Sequence, residues 1–259
     1  MIACRSQREL ERLRAANLLV ARVLSLLKET VAAGVTTAAL DGLAERTLRQ
    51  AGALPAFKGY HGYPATICAS VNEQVVHGIP SDRRLIEGDI VSIDLGALLD
   101  GYYGDAAVTI PVGRIAYETA TLLRVTEESL WKGIECAKVG GRVSDIGHAV
   151  QQYVEAHGFS VVREFVGHGV GTALHEEPQI PNYGEPGRGP RLAEGMVLAI
   201  EPMVNMGKAA IKVLSDGWTA VTRDGSWSAH FEHSVAVSAA GPIVLSALET
   251  PMREAAVRS

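Results

Sequence analysis

The sequence predicts an α+β fold in which helices flank a largely antiparallel central sheet. In each half of the chain helical patterns come first and strand-like runs follow, whereas a doubly wound parallel fold would alternate the two. The dipeptides Asp100-Gly101 and Asp216-Gly217 each stand between two β-branched runs, as in tight hairpins that join antiparallel strands. Grouped elements and hairpin turns therefore predict the same architecture.

Four segments have the apolar spacing of three to four residues that is typical of amphipathic helices. The first begins at a capping-box pattern, Ser6 to Glu9, and ends at Gly34. The other three run from about 37 to 52, 117 to 138 and 144 to 158. Runs rich in β-branched residues predict strands at 65–71, 89–95, 102–110, 160–165, 196–204, 211–214, 219–222 and 233–237.

The composition is that of an ordinary globular protein. With 259 residues, 47% of them hydrophobic and 20% charged, the chain has enough apolar side chains for a substantial core, which excludes a disordered or collagen-like protein. A net charge of −5 argues against nucleic-acid binding as the main function. Because no linker divides the sequence, we expect one domain over residues 1–259, with short tails at about 1–5 and 245–259.

Several features predict a cytoplasmic protein. The three cysteines, Cys4, Cys68 and Cys136, are widely spaced and suit a reducing compartment without disulfides. The N-terminus lacks the apolar segment of a signal peptide, and the longest apolar stretch, 15–27, is too short to span a bilayer. No apolar strip marks an oligomer interface, so we expect a monomer.

An internal similarity indicates that the chain contains two related halves. Residues 85–94 align without a gap with residues 192–201, and in both segments Leu-x-Glu-Gly leads an apolar strand to a carboxylate, Asp94 or Glu201. A duplicated half-domain would explain this match, with an approximate twofold axis through the central sheet. A chance likeness between two buried strands is the alternative.

Two aspartates in the first half are predicted to face each other. Asp94 ends the apolar run 89–93, and a buried ionised carboxylate is costly unless something compensates it. The turn at Asp100-Gly101 folds the chain back, and the spacing puts Asp105 on the same face as Asp94, directly or diagonally opposite.

The second half repeats the pattern. Glu201 ends the apolar run 197–200, and Glu232 precedes the strand at 233–237, while no lysine or arginine lies inside these strands. Four acids in one apolar interior repel each other, so either several are protonated or a concentrated positive charge is present. Two divalent cations would supply that charge.

A histidine between glycines adds a nitrogen ligand. Within Gly167-His168-Gly169 the glycines leave the imidazole of His168 unobstructed, and a nitrogen donor favours a transition metal over magnesium or calcium. Cobalt, manganese, iron and zinc all suit such ligands. His77 and His175 stand in turn-like contexts that fit either a cleft or the surface; the weaker candidates are His61, His148, His157, His230 and His233.

The ordered set Asp94, Asp105, His168, Glu201 and Glu232 resembles the metal ligands of the methionine aminopeptidases, which have the pita-bread fold. The resemblance runs from about residue 6 to 240, and the short interval between the histidine and the first glutamate is similar to that of the bacterial type I form. Further matching segments are Gly59-Tyr60-His61-Gly62-Tyr63-Pro64, Ser70-Val71-Asn72-Glu73, His77-Gly78-Ile79-Pro80, His175-Glu176-Glu177-Pro178 and Phe231-Glu232-His233.

The resemblance implies a role for each ligand. By analogy Asp94 chelates one metal ion, His168 and Glu201 hold a second ion, and Asp105 and Glu232 bridge the two. Two divalent ions per chain are thus implied, with cobalt, manganese, iron or zinc left open.

The resemblance also implies catalytic and substrate-binding residues. Glu201 would shuttle a proton, and His77 and His175 would contact the scissile amide. The pocket for the methionine side chain would be formed by Tyr60, Tyr63, Cys68 and Trp218, which suit a soft thioether. Three positions depart from the common bacterial pattern and bear on the shape of the pocket: Phe57, Thr172 and Leu174.

The implied activity is removal of the initiator methionine from nascent proteins whose second residue is small. Expected partners are peptides with an N-terminal methionine, nascent chains and, transiently, the ribosome, but not membranes or a specific nucleic acid. Two alternatives stay open: an Xaa-Pro aminopeptidase or prolidase of the same fold, and a noncatalytic peptide-binding protein that has lost its metals.

Overall fold

The computed structural model describes residues 2–248, and within them the chain forms four α-helices and fifteen β-strands. The helices are α1 (Gln7–Thr30), α2 (Thr37–Gln50), α3 (Tyr117–Cys136) and α4 (Val143–Ala156). The strands are β1 (Leu54–Pro55), β2 (Ile67–Val71), β3 (Gln74–Val76), β4 (Ile90–Leu99), β5 (Tyr102–Pro111), β6 (Ser160–Val161), β7 (Gly167–Gly169), β8 (Glu176–Ile180), β9 (Val197–Ile200), β10 (Met203–Asn205), β11 (Ile211–Val213), β12 (Ala220–Thr222), β13 (Ser228–His230), β14 (Glu232–Ser238) and β15 (Gly241–Val244).

Local sequence signals explain where α1 and the first hairpin begin. The backbone N–H of Ser6 donates to the carboxylate of Glu9 at 2.8 Å, which confirms the predicted capping box. α1 ends at Thr30, before the predicted stop at Gly34. Asp100 and Gly101 have φ values of 49° and 82°, the left-handed conformations that a two-residue hairpin between β4 and β5 requires.

Two predicted strands differ from the structure. The run 160–165 forms a strand only at Ser160–Val161. Val162 N–H still donates to Met203 O at 3.0 Å, and farther along the segment Phe165 packs against the ring of His77. The run 196–204 is broken into β9 and β10, since Pro202 has no N–H with which to continue the ladder.

The large sheet is antiparallel and has a symmetric centre. Its strand order is β1-β4-β5-β14-β9-β7-β8, with β2 also on β4 and β15 also on β14. β5 pairs with β14 through Glu232↔Ala107 and His233↔Ala106. On either side of this junction the arrangement β2-β4-β5 is repeated as β7-β9-β14, so an approximate twofold axis runs between β5 and β14.

The turns before β4 and β9 repeat the same hydrogen bonds. Gly34 N–H donates to Leu85 O at 2.7 Å, and Gly140 N–H donates to Leu192 O at 2.9 Å. Gly88 and Gly195, which have φ values of 95° and 85°, then lead into β4 and β9. The duplication predicted from residues 85–94 and 192–201 is therefore present in the fold.

The helices cover one face of the sheet and leave its other face for the site. Leu40 of α2 packs in one core cluster with Ile93 and Leu95 of β4. α3 and α4 form the matching cluster on the second half, which includes Leu198 and Ile200 of β9. Because side chains alternate along a strand, Asp94 points away from the helices.

The described ends of the chain are packed against the sheet. Leu245 is buried, and Ser246 Oγ lies 2.8 Å from Nδ1 of His233, so packing continues past 245, the predicted start of the C-terminal tail. Cys4, Cys68 and Cys136 are free thiols. No helix within residues 2–248 is both long and apolar enough to cross a membrane.

Candidate metal centre

Three adjacent strands bring three acids to one face of the sheet. Ala107 of β5 pairs with Asp94 on β4 and with Glu232 on β14, so the two carboxylates flank it on the same face. Asp105 lies two residues before Ala107 and opposite Gly96. Of the two arrangements predicted for Asp94 and Asp105, the register therefore gives the diagonal one.

The second half contributes Glu201 and His168. Glu201 follows directly after β9, whose Ala199 pairs with His168 of β7, so both side chains project from the same face. A Cβ atom on Gly167 would collide with Ala199 O, and one on Gly169 would collide with Glu177 O. The glycines on both sides of His168 are thus required by close packing of the backbone.

A hydrogen bond fixes the ring of His168. Nδ1 lies 2.9 Å from the carbonyl oxygen of Gly169, which can only accept, so Nδ1 carries the proton. Nε2 then faces the acids, at 3.4 Å from Oε1 of Glu201 and 3.8 Å from Oδ2 of Asp105. Burial lowers the pKa of His168 to about 4, which keeps the imidazole neutral and suited to bind a metal.

The four acids lack compensating charge. Burial raises the pKa of Asp94 to about 7, and burial together with the neighbouring carboxylates raises the pKa values of Asp105, Glu201 and Glu232 well above their ordinary range. Among the ion pairs of residues 2–248, none joins a lysine or arginine to any of these acids. Protonation or a bound cation must therefore balance them.

Unpaired oxygens show that the cluster fits a metal. Oδ1 of Asp94, Oδ1 of Asp105 and Oε1 of Glu232 are buried without a hydrogen-bond partner. Ligand atoms of Asp105, His168 and Glu232 all lie within 4.8 Å of one another. Carboxylate oxygens and one imidazole nitrogen form a donor set that first-row transition metals accept.

The acids form one wall of a cavity of about 410 Å³. Its other walls are aromatic and apolar, and all of the substrate-binding residues predicted from the resemblance line it. The lining residues are Phe57, Tyr60, His61, Tyr63, Cys68, His77, Asp94, Asp105, His168, Leu174, His175, Glu201, Trp218 and Glu232.

Ring packing and hydrogen bonds fix the position of the residues at the apolar end of the cavity. The rings of Tyr63 and Trp218 meet edge to face, with 5.1 Å between their centroids. The hydroxyl of Tyr63 is 3.0 Å from both Ile67 O and Gly78 O. Burial raises the pKa of Cys68, so its thiol is protonated and adds to the apolar wall.

Two histidines stand beside the acids. Nδ1 of His175 lies 2.7 Å from the hydroxyl of Tyr60, and the rings of His175 and His168 have centroids 4.2 Å apart. His77 packs against Phe165 and Trp218. Burial lowers the pKa of His77 to about 4, so this imidazole is neutral at physiological pH.

Two histidines that the sequence predicts as weaker candidates lie close to the site. His61, an exposed residue in a left-handed conformation (φ 49°), lines the cavity. Its place between Tyr60 and Gly62 in a turn was the available signal. His230 is 1% exposed, with Nε2 3.8 Å from Oε2 of Glu201, and no local pattern distinguished it.

Three other weak candidates lie outside the cavity lining. His148 Nδ1 donates to Gly184 O and His157 Nδ1 donates to Tyr153 O. His233 contacts Ser246 instead of the acids.

Comparison with known proteins identifies relatives over almost the whole chain. Residues 11–239 match the model of metallopeptidase family M24. Methionine aminopeptidase 1 of Bacillus subtilis is 56% identical over 241 residues, which cover 93% of this chain and 97% of that protein. A crystal structure of methionine aminopeptidase from Thermotoga maritima superposes with a TM-score of 0.94 and 46% identity, covering 96% of this chain and 100% of the other.

A more distant likeness concerns the fold alone. The prolidase of Pyrococcus horikoshii superposes with a TM-score of 0.78 but is only 24% identical. The match covers 96% of this chain and 64% of the prolidase. The same architecture thus also occurs in a longer peptidase.

Proposed function

The chain belongs to metallopeptidase family M24, and we propose on this premise that it removes the N-terminal methionine from peptides whose second residue is small. The observation that carries the proposal is the cavity in which buried acids and a neutral imidazole meet an aromatic pocket. Relatives named methionine aminopeptidase, about half identical over nearly the whole chain, support it.

The pocket suits the side chain of methionine. Tyr63, Cys68 and Trp218 form a compact apolar wall, and a polarisable thioether packs favourably against aromatic rings. Phe57 and Leu174 line the cavity and belong to the same apolar cluster. The acid cluster and this pocket line the same cavity, so a metal ion held by the acids would lie near the free amine at the start of a bound peptide.

We propose that two divalent ions bind in the cluster. Asp94 would chelate one ion, His168 and Glu201 would hold the other, and Asp105 and Glu232 would bridge both. When bound, such ions polarise a peptide carbonyl and lower the pKa of water. Manganese, iron, cobalt and zinc all fit these ligands, so the ion in the cell depends on availability.

The protein's own side chains would orient the peptide and move the proton. Glu201, whose side chain lines the cavity and is only 13% exposed, would take a proton from the attacking water and give it to the leaving amine. If Tyr60 donates to Nδ1 of His175, Nε2 of His175 carries a proton and can donate to the scissile carbonyl. His77, which also lines the cavity, would bind the same peptide unit.

The sequence also supports proposals about the protein's substrate and setting in the cell. Nascent chains would be the cellular substrate, with a transient ribosome contact, and the protein would be cytoplasmic and monomeric. An Xaa-Pro peptidase has support only from the fold, and a noncatalytic protein is disfavoured because all five predicted metal ligands line one cavity.

A peptide panel tests the function. The protein is depleted of metal, reloaded separately with manganese, iron, cobalt or zinc, and incubated with Met-Ala, Met-Gly, Met-Leu and Ala-Pro peptides. We expect free methionine from the first two peptides and little product from the others. The His168→Ala variant serves as the control and should release none. Preferred cleavage of Ala-Pro, or no cleavage with any ion, would contradict the proposal.

A further inference from the structure

The segment before α1 reaches the loop that carries His175. The guanidinium of Arg5 forms an ion pair with Oε2 of Glu176, and the two side chains are only 10% and 17% exposed. Arg5 belongs to the segment that the sequence predicts to be a short N-terminal tail. Because Glu176 directly follows His175, the ion pair links the start of the chain to the wall of the cavity.

The carboxylate of Glu176 organises the loop between β7 and β8. Its Oε1 accepts the backbone N–H groups of Thr172 and Ala173 at 2.8 and 3.0 Å. Although burial opposes it, these hydrogen bonds and the Arg5 cation lower the pKa of Glu176, so the carboxylate stays ionised. This turn presents Leu174 and His175 to the cavity.

The backbone is shaped to admit Arg5. A Cβ atom on Gly171 would collide with the guanidinium of Arg5, and one on Gly195 would lie 2.6 Å from Arg5 O. The N–H of Arg5 donates to Gly195 O at 2.7 Å. Arg5 therefore packs between Gly171, which precedes β8, and Gly195, which precedes β9.

We propose that Arg5 is a positioning residue for the peptidase reaction, acting through Glu176 to hold Leu174 and His175 in place. The inference rests on the proposed function, because His175 is assigned there to the scissile peptide. The guanidinium of arginine is always charged and can donate two parallel hydrogen bonds. It therefore suits the buried carboxylate of Glu176, which already accepts backbone N–H groups. Arg5 contacts neither the cavity nor the acid cluster, so its effect would spare metal binding.

The test compares Arg5→Met with Arg8→Met. Arg8 is exposed on the first turn of α1 and serves as a matched control for loss of one cation near the N-terminus. We expect Arg5→Met to lower kcat on a Met-Ala peptide by about 10- to 100-fold, the scale of small misplacements in active sites. The dissociation constant for manganese should stay within about twofold of wild type. Arg5→Lys, which keeps the charge but not the planar donor group, should recover part of the loss.

A second readout does not depend on activity. In the metal-free protein labelled with ¹⁵N-histidine, the ring signals of His175 should shift in Arg5→Met and stay unchanged in Arg8→Met. Glu176→Gln should produce the same shift, and the double variant should lose no more activity than either single one. If Arg5→Met does not fold, Glu176→Gln replaces it with the same expected results.

The outcomes separate this inference from the proposed function. Failure of the wild-type protein to release methionine would count against the function alone. Wild-type kcat and unshifted His175 signals in Arg5→Met would overturn the positioning role, as would a loss of activity that merely follows a loss of metal.

Discussion

Asn17, buried in the middle of α1, accepts a hydrogen bond from the backbone N–H of Asp105 at 3.2 Å. Its Nδ2 donates to Leu13 O, so both the oxygen and the nitrogen of the side-chain amide form hydrogen bonds. On the other side, Ser234 Oγ donates to Asp105 O at 2.8 Å. The helix can approach β5 this closely because a Cβ on Gly104 would lie 2.6 Å from the backbone of Ala16. Two side chains thus hold the peptide groups of one acid of the cluster.

Replacing Asn17 should weaken both folding and metal binding. Asn17→Leu leaves the buried N–H of Asp105 unpaired, which costs about 1–3 kcal/mol of unfolding free energy. Urea unfolding of the metal-free protein and calorimetric titration with manganese measure the two effects. Arg22→Leu, exposed on the same helix, is the control. If Asn17→Leu and Arg22→Leu have equal stability and equal affinity for manganese, Asn17 does not support Asp105.

Removing one carboxylate should stabilise the protein without metal. Burial and the charges of Asp105, Glu201 and Asp94 raise the pKa of Glu232, so Glu232→Gln relieves repulsion near pH 8. We expect Tm of the metal-free protein to rise by about 2 °C or more, since about 1 kcal/mol corresponds to a few degrees at this size. In the presence of manganese the variant should gain less stability than wild type. Glu118→Gln, at an exposed site, is the control. A lower Tm in metal-free Glu232→Gln would contradict the electrostatic account.

The stability of the metal-free protein should fall as pH rises above about 6.5. The pKa of Asp94 is raised to about 7 from an ordinary 3.8, and those of the other three acids are also raised well above their ordinary range, so the folded state keeps protons that the unfolded state has lost. The buried histidines have lowered pKa values, so they make the stability rise with pH. They do so only below 6.5, the ordinary pKa of histidine. Unfolding free energies at about pH 6.5, 7.5 and 8.5 test the sign. A rise with pH, or the same fall with saturating manganese, would contradict the prediction.

Two tyrosines in the cavity should have different roles. Tyr60→Phe removes the hydroxyl beside Nδ1 of His175 and should lower kcat by about 10-fold with little change in Tm, as expected for loss of an acid–base or orienting contact. Tyr63→Phe instead removes a buried hydroxyl that donates to Ile67 O or Gly78 O and should lower stability by about 1 kcal/mol, the net contribution of one hydrogen bond. Steady-state kinetics and thermal unfolding of both variants distinguish them. If the two variants behave alike, Tyr60 does not orient His175.

The sequence was most informative where chemistry and strand register coincide. Asp94 and Asp105 were placed on one face because the turn at Asp100-Gly101 fixes the register of the hairpin. The repeat of residues 85–94 in 192–201 predicted the approximate twofold. Both inferences use only the alternation of side chains along a strand and the cost of burying charge.

Contacts between residues that are far apart in the chain could not be predicted from the sequence in the same way. Arg5 belongs to a segment without periodicity, and nothing near it in sequence indicated its distant partner, Glu176. Asn17 interrupts an apolar helical face and carried no sign of its bond to Asp105. Short strands such as β7 and β13 have three residues each, too few for alternation to be recognised.

Calorimetric titration of divalent ions into the metal-depleted protein tests the central claim most directly, namely that cations neutralise the buried acids. Wild type should bind two manganese ions per chain at neutral pH and release protons as it does so, because the acids have raised pKa values and metal displaces their protons. The Asp105→Asn/Glu232→Gln variant should lose that binding. Absence of binding by folded wild type, or undiminished binding by the double variant, would contradict the account.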